Sequence, residues 1–363
     1  MQDFLDLRAL RDIGLSHATV QAALAQARPD GSRLARVIEI QRDHLLVHDG
    51  TESHVAVPWP ALRAALEQEH DSLVVGDWVW WRAAASDSDR GWAVARLPAR
   101  NRLTRRDPAG GRQGLVANID TALIVMGLDH DFNLRRLDRF LVLAQSADAR
   151  VVVVLTKADG CADIAGATLR VRTHVGDARD DIAVVAVDGR SPASAAVLAP
   201  WLTRGTTLVT LGSSGAGKTT LTNTLTGARE TTHAVRATDE RGQHTTTART
   251  LHRSEGGACL IDTPGLRQLW LDADSDTLNA AFPEIGALAL QCRYRDCRHA
   301  QEPACAVREQ VPAARLVSFQ KLMREANREQ ADVFQRRRQV SEMKQRTREN
   351  RARNAARGSG ENT

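Results

Sequence analysis

Residues 212–219 read Gly-Ser-Ser-Gly-Ala-Gly-Lys-Thr. Glycines at this spacing, ending in a cation and a hydroxyl, suit one task, the grip of a phosphate chain. Along Gly212, Ser213, Ser214, Gly215, Ala216 and Gly217 the backbone can turn successive N–H groups inward around phosphate oxygens, at the positive end of a following helix. Lys218 would reach the β- and γ-phosphates, and the Thr219 hydroxyl, followed by Thr220, would ligate Mg²⁺. A glycine-rich turn before an ordinary helix has the same composition. What separates the two is context, because a β-favouring run (Thr206 to Leu211) precedes the loop and a helix-compatible run, TLTNTLTGA, follows it.

Two more polar segments follow apolar runs. Thr156-Lys157-Ala158-Asp159 comes directly after VVVVL and is similar to the guanine-specificity motif Asn-Lys-x-Asp. Its carboxylate, Asp159, can accept from the guanine N1–H and N2 amine, a pairing adenine does not offer, while the Lys157 stem lies along the base. Thr156 departs from the motif by placing a hydroxyl where an amide is usual. Asp262-Thr-Pro-Gly265 comes after ACLI. Here Asp262 would hold Mg²⁺ through water and the Gly265 N–H would sense the γ-phosphate. Between this segment and the phosphate loop lies Arg241-Gly-Gln-His244-Thr245-Thr246-Thr247, a polar run suited to a switch that closes on Mg²⁺ through Thr246, or through Thr245 beside it. Leu266 follows Gly265 where a water-orienting Gln often stands, so His244 is the candidate to position the attacking water.

A different chemistry occupies the C-terminal third. Cys292, Cys297, His299 and Cys305 offer three thiolates and an imidazole within fourteen residues, enough for a closed tetrahedral Zn²⁺ shell. Four protein ligands leave no open position, so the zinc is expected to be structural. Cys161 and Cys259 are given no role.

The elements that must position these residues are legible as patterns. TALIVM (121–126), VVVVL (151–155), IAVVAV (182–187), TTLVTL (206–211) and ACLI (258–261) read as buried strands, with LRRLDRFLVLAQSAD at helical spacing between the first two. This is an α/β, doubly wound, largely parallel sheet, and its ligands belong beyond the C-terminal strand ends. Upstream, Ser16 can cap a short helical arm that Pro29-Asp30-Gly31 ends. LARVIEIQ, HLLVHD, HVAVPW, DWVWWRA and WAVARL then predict a small OB-type barrel holding five of the seven Trp, as packing or as stacking surfaces for nucleic acid. Arg100 to Gly114 is basic, glycine-rich and aperiodic, and reads as a linker or mobile loop.

Composition bounds the class. The chain has 363 residues, 42% hydrophobic and 26% charged, which suits a soluble protein of two or three domains. No run is long and apolar enough for a membrane span, and the N-terminus lacks a basic-then-apolar leader, so a cytoplasmic location is expected. From Arg308 to Arg357 there are fourteen Lys/Arg against six Asp/Glu. The net charge of +5 therefore resides in this stretch, where the apolar stripe of Leu316, Phe319, Leu322 and Met323 gives way to Arg336-Arg337-Arg338 and RTRENRARNAAR. Next to a zinc module and a barrel, that charge suits a polyanionic partner such as a nucleic acid.

The order of the motifs is unusual. The guanine motif precedes the phosphate loop, whereas ordinary GTPases place it last. A circular permutation accounts for this, because a site assembled from strand ends tolerates a different chain order. At this point the chain resembles the ribosome small subunit-dependent GTPase A (RsgA) family, through VVGDWV (74–79), FNLRRLDRFL, GSSGAGKTTL, GQHTTT and the cysteine cluster in that order. The resemblance implies an OB-fold barrel, a central circularly permuted P-loop GTPase domain and a C-terminal helical zinc-binding domain. The boundaries expected are an arm at 1–32, the barrel at 33–99, a linker at 100–114, the GTPase domain at 115–275, the zinc domain at 276–335 and a basic, disordered tail at 336–363. It also implies GTP as substrate with Mg²⁺ and one Zn²⁺, hydrolysis stimulated by the small ribosomal subunit during late maturation, and a water-positioning role for His244. A monomer that contacts the subunit and its rRNA, with no membrane partner, completes the expectation.

Overall fold

Five short alternating runs close on themselves because each has one apolar face and no partner sheet to cover it. In the computed structural model, which describes residues 6–84, 90–106, 111–176, 181–227, 249–263, 270–271 and 275–327, they form the expected barrel. Two helices precede it, α1 (Leu7–Arg11) and α2 (His17–Ala25), and the Ser16 hydroxyl caps α2 by accepting from the Thr19 N–H at 3.2 Å. The strands are β1 (Arg33–Ile40), β2 (Leu45–His48), β3 (Ser53–Pro58), β4 (Trp78–Arg82) and β5 (Gly91–Arg96). Pairing runs β1–β2–β3–β5–β4 and returns from β4 to β1, which closes the ring. The β3–β5 pair is parallel, so the chain must cross over between them. Part of that crossing is α3 (Pro60–Gln68), whose Leu62 and Leu66 join the barrel core. Trp78, Trp80 and Trp81 are buried, whereas Trp59 meets Trp92 edge-on at 4.9 Å near the surface.

The stretch from Arg100 to Gly114, read as a linker or mobile loop, instead carries paired strands, β6 (Arg102–Arg106) and β7 (Arg112–Ala117), with residues 107–110 outside the described part. Two physical facts account for the difference. Leu103, Leu115 and Val116 are buried, so the hairpin has an apolar face of its own. Its arginines also have partners: Arg102 donates to Asp71 at 2.7 Å and to the buried Asp77 at 2.5 Å, and Arg100 pairs with Asp120 at 2.7 Å.

The central sheet has the order β10-β9-β8-β11-β13-β12. It comprises β8 (Thr121–Gly127), β9 (Arg150–Thr156), β10 (Ile182–Ala186), β11 (Thr207–Leu211), β12 (Thr250–Arg253) and β13 (Cys259–Asp262), all parallel except β12. The connecting helices are α4 (Leu134–Gln145), α5 (Ile164–Val175), α6 (Ala193–Leu198) and α7 (Lys218–Thr226). Alternation along β8 explains the layers: Leu123 and Val125 face one core with Leu221 and Leu225, while Ala122, Ile124 and Met126 face the other with Phe140 and Leu141. A two-residue strand, β14 (Trp270–Leu271), adds to β6 in a separate small sheet.

Barrel and sheet share one joint. Glu39 of β1 pairs with Thr250 of β12, and behind that contact lies Arg36. Its fully buried guanidinium donates to the Ile13 carbonyl at 2.5 Å, the Thr207 hydroxyl at 2.9 Å and the Asn118 carbonyl at 3.2 Å. Arm, barrel, β7–β8 turn and the strand that leads to the phosphate loop meet on one side chain.

Four helices complete the described chain: α8 (Ser275–Ala281), α9 (Pro283–Ala289), α10 (Ala306–Gln310) and α11 over 313–327. Leu278, Phe282, Ile285, Val307, Phe319 and Leu322 pack them into the core that contains α4. Burying each such side chain contributes about 1.5–3 kcal/mol, so apolar contact drives the docking. Its register is set by charge. The buried Asp138 of α4 takes the guanidinium of Arg315 and lies 2.9 Å from His174 Nε2; Arg315 also donates to Glu284 at 2.8 Å and lies over the Phe282 ring. Arg139 of α4 meets both carboxylate oxygens of Glu325 through its two terminal guanidinium nitrogens. Breaking a buried pair from one side costs more than the pair itself contributes, because a desolvated charge is left behind. Arg315→Ala is therefore expected to lower stability by about 3–5 kcal/mol, read as a lower urea midpoint.

Candidate functional site

β11 delivers Gly212 to the C-terminal edge of the sheet, against β8. A Cβ at Gly212 would sit 2.3 Å from the Val125 carbonyl oxygen, so only glycine lets the loop start there. Gly215 and Gly217 take φ values of +82° and +92°, which L side chains adopt at a cost. Gly217 is the residue before α7, so the loop lies at that helix's positive end. Lys218 is buried, and its ammonium donates to the carbonyls of Gly212 at 3.1 Å and Ser213 at 2.8 Å. An ammonium has three donors; among the described residues, one remains for an incoming phosphate. Burial pushes the Lys218 pKa down, and the nearby carboxylates of Asp262 and Asp131 oppose that shift. Ser214 and Gly215 are exposed at the loop's tip, Ala216 is buried under it, and Thr220 is half-buried on α7.

Asp262 is the last residue of β13, next to β11. Its carboxylate accepts the Thr219 hydroxyl at 2.8 Å and the Thr210 hydroxyl at 2.7 Å. A hydroxyl and a carboxylate so close, both beside a phosphate loop, are the two protein oxygens with which a divalent cation is held against phosphates.

The segment that precedes the phosphate loop in the chain lies against it in space. At the end of β9 the Thr156 hydroxyl donates to the Ala216 carbonyl at 2.6 Å. Lys157, at φ +60°, donates to the Gly215 carbonyl at 2.7 Å and to Asp129 at 2.7 Å. Asp159 stands exposed in a tight 3₁₀ turn, Ala158–Gly160, which is tied to the end of β10 by the Ala158 N–H and the Val187 carbonyl at 3.3 Å. The hydroxyl at Thr156 thus makes a direct bridge between the two motifs.

His244, Thr245, Thr246 and Gly265 lie outside the described residues. Asp129 and Asp131, which no motif singled out, belong to the same neighbourhood. The available signal was their place immediately after β8, at the edge where the other motifs gather.

The cysteine cluster converges as well. Cys292 Sγ is 3.8 Å from Cys305 Sγ and 3.6 Å from His299 Nδ1, and His299 Nδ1 is 3.4 Å from Cys305 Sγ; with Cys297 all four ligand atoms lie within 4.8 Å of one another. A tetrahedral zinc with bonds of about 2.3 Å to sulfur and about 2.0 Å to nitrogen separates its ligands by about 3.8 Å (S to S) and about 3.5 Å (S to N). Cys292, His299 and Cys305 are therefore at zinc spacing, with Cys297 beside them. His299 reaches it through a left-handed backbone at φ +57°, and Gln320 of α11 donates to its carbonyl at 2.7 Å. The backbone N–H of Glu302 itself first, and then the N–H groups of Arg298, Ala300 and Gln301, hold the Glu302 pKa down to about 2, and the last three bonds fold the loop between ligands.

Known proteins resemble this chain in sequence and in fold. A family model described as RsgA GTPase matches residues 96–272. Among relatives, the small ribosomal subunit biogenesis GTPase RsgA of Xylella fastidiosa (strain 9a5c) is 47% identical over 292 residues, 79% of this chain and 81% of that protein. Its counterpart in Xanthomonas campestris pv. campestris (strain B100) is 44% identical over 300 residues, 81% and 78% of the two chains. Among solved structures, YjeQ from Thermotoga maritima superposes with a TM-score of 0.59 at 22% identity, over 81% of this chain and 98% of that one. YloQ, a circularly permuted GTPase, gives 0.55 at 22% identity, over 83% and 98%. These two are likenesses of fold.

The close approach at Gly212 yields a direct test. Gly212→Ala must push the loop off β8, and it is expected to weaken nucleoside triphosphate binding at least about tenfold in equilibrium titrations with a fluorescent analogue.

Proposed function

The chain belongs to the RsgA GTPase family and is a GTP hydrolase, and from that premise we propose that it acts on the small ribosomal subunit, hydrolysing GTP to GDP and phosphate late in subunit maturation in response to the subunit itself. One observation carries the nucleotide part. Thr156 and Lys157 bond to the loop that contains Lys218, while Thr219 of that loop bonds to Asp262. Three segments scrambled in chain order thus share one strand-end site.

In this reading Asp159 accepts from the guanine edge and Lys157 lies along the base. The phosphates occupy the loop from Gly212 to Thr220, with Lys218 donating to the β- and γ-oxygens. Thr219, Thr246 and, through water, Asp262 would hold Mg²⁺, which spreads the charge that develops on the transferred phosphoryl group. Gly265 donates its N–H toward the γ-phosphate. His244 accepts a hydrogen bond from water and aligns it with the γ-phosphorus; the water oxygen bonds to phosphorus as the bond to the β–γ bridging oxygen breaks. A switch run that orders on the ribosome accounts for stimulation by the subunit.

The remaining features support a ribosomal partner. The excess of arginine from Arg336 onward lies outside the described residues, and its charge suits rRNA phosphates, with binding that weakens steeply as salt rises. Cys292, Cys297, His299 and Cys305 would hold one structural Zn²⁺, which fixes the loop before α10. Among the described residues no helix is long and apolar enough to cross a membrane. The location proposed, on the family premise, is the cytoplasm, and the state a monomer.

The deciding measurement is the rate of phosphate release from GTP with purified small subunits, large subunits or free RNA added separately. Small subunits alone are expected to raise it, and His244→Ala is expected to abolish that rise while GTP binding persists. A rate indifferent to small subunits, or a stimulated rate untouched in the His244 variant, counts against the corresponding part of the reading. Cys305→Ser is expected to lower the zinc content from one ion per chain toward none by elemental analysis.

A further inference from the structure

The turn from β8 into α4 contributes a buried carboxylate that none of the recognised motifs includes. Asp131 is 6% exposed. Its oxygens accept from three elements at once: the Gly127 N–H at 3.2 Å, Arg136 Nη1 at 2.6 Å, and the hydroxyl of Ser213, the second residue of the phosphate loop. Ser213 is in turn the residue whose carbonyl accepts the Lys218 ammonium at 2.8 Å. A relay therefore runs from Asp131 through Ser213 to the lysine.

The placement is costly on its face. A carboxylate beside the seat of a triphosphate repels the ligand unless its charge is compensated and its presence serves the loop. Arg136, in the first turn of α4, supplies the compensation. The service is geometric: the Ser213 hydroxyl, free to rotate in water, is held in one direction, and its backbone carbonyl with it. We propose that Asp131 is a positioning residue for GTP, which acts through Ser213 to fix the carbonyl that aims Lys218 at the β- and γ-phosphates. The proposal rests on the GTPase reading above. It adds the β8–α4 turn as a further wall of the site, joined on the base side by Asp129, which braces Lys157.

A residue that merely starts α4 or packs beneath the loop makes different predictions from one that acts through Ser213. The test is equilibrium binding of a fluorescent GTP analogue to the full chain, as wild type, Asp131→Asn, Ser213→Ala, Ser213→Thr and the Asp131→Asn/Ser213→Ala double variant. Asp131→Asn and Ser213→Ala are each expected to bind on the order of tenfold to a hundredfold more weakly, the loss typical of one hydrogen bond to a charged group. Ser213→Thr, which keeps the hydroxyl, is expected to restore binding to within about threefold of wild type. The double variant is expected to be no weaker than the worse single one, since both changes remove one bond. Preference for GTP over ATP should be unchanged throughout. Wild-type affinity in Ser213→Ala, no rescue by Ser213→Thr, or losses that multiply in the double variant would each overturn the proposal. Should Asp131→Asn fail to fold, the two Ser213 variants decide alone. Wild-type chain that binds no GTP overturns the GTPase reading and this proposal with it, whereas wild-type binding with unaffected variants overturns the positioning role alone.

Discussion

A loop that turns its N–H groups inward around an anion must turn its carbonyls outward, and buried carbonyls need donors. Here those donors come from elsewhere in the site. Lys218 serves Gly212 and Ser213, Lys157 serves Gly215, and Thr156 serves Ala216. The rest of the site follows from this requirement. The segment from Thr156 to Asp159 stands beside the phosphate loop because it serves two of these four loop carbonyls. Asp129 and Asp131 then orient groups that touch those carbonyls or the residues bearing them.

Such a network is indifferent to the order of its strands along the chain. β8, β9, β11 and β13 are parallel neighbours whose C-terminal ends lie on one edge, and each end contributes one short polar segment. Whether β9 precedes or follows β11 in the chain changes the connecting loops and leaves the edge intact. Permutation therefore moves the termini without moving the chemistry. It also gives the N-terminal barrel a place beside β12 and the C-terminal helices a place against α4.

Much of this was legible in the sequence, for identifiable reasons. The phosphate loop, the strand-end segments and the cysteine cluster are local patterns, where spacing of a few residues dictates geometry. The five barrel strands and the five expected strands of the central sheet are legible because burial imposes period or continuity. The β6–β7 hairpin was not, because its arginines look solvated until Asp71, Asp77 and Asp120 arrive from distant parts of the chain. Asp131 was missed for a similar reason: an isolated carboxylate in LDHDFN has no spacing rule, and its partner Ser213 lies 82 residues away. In the crossover, α3 lacks a side-chain cap and begins at a Pro that equally marks a turn.

Arg36 carries one more implication. Its charge is sealed among neutral acceptors drawn from the arm, the β7–β8 turn and β11, so no piece of that joint is satisfied without the others. The barrel is thus no detachable accessory. Cutting it away would expose the foot of the strand that carries the phosphate loop, and grafting in a barrel without this arginine would leave a cavity and unpaired oxygens on Ile13, Thr207 and Asn118. Such a seam ties the inheritance of the barrel to that of the sheet bearing the phosphate loop, which favours lineages in which the two travel together.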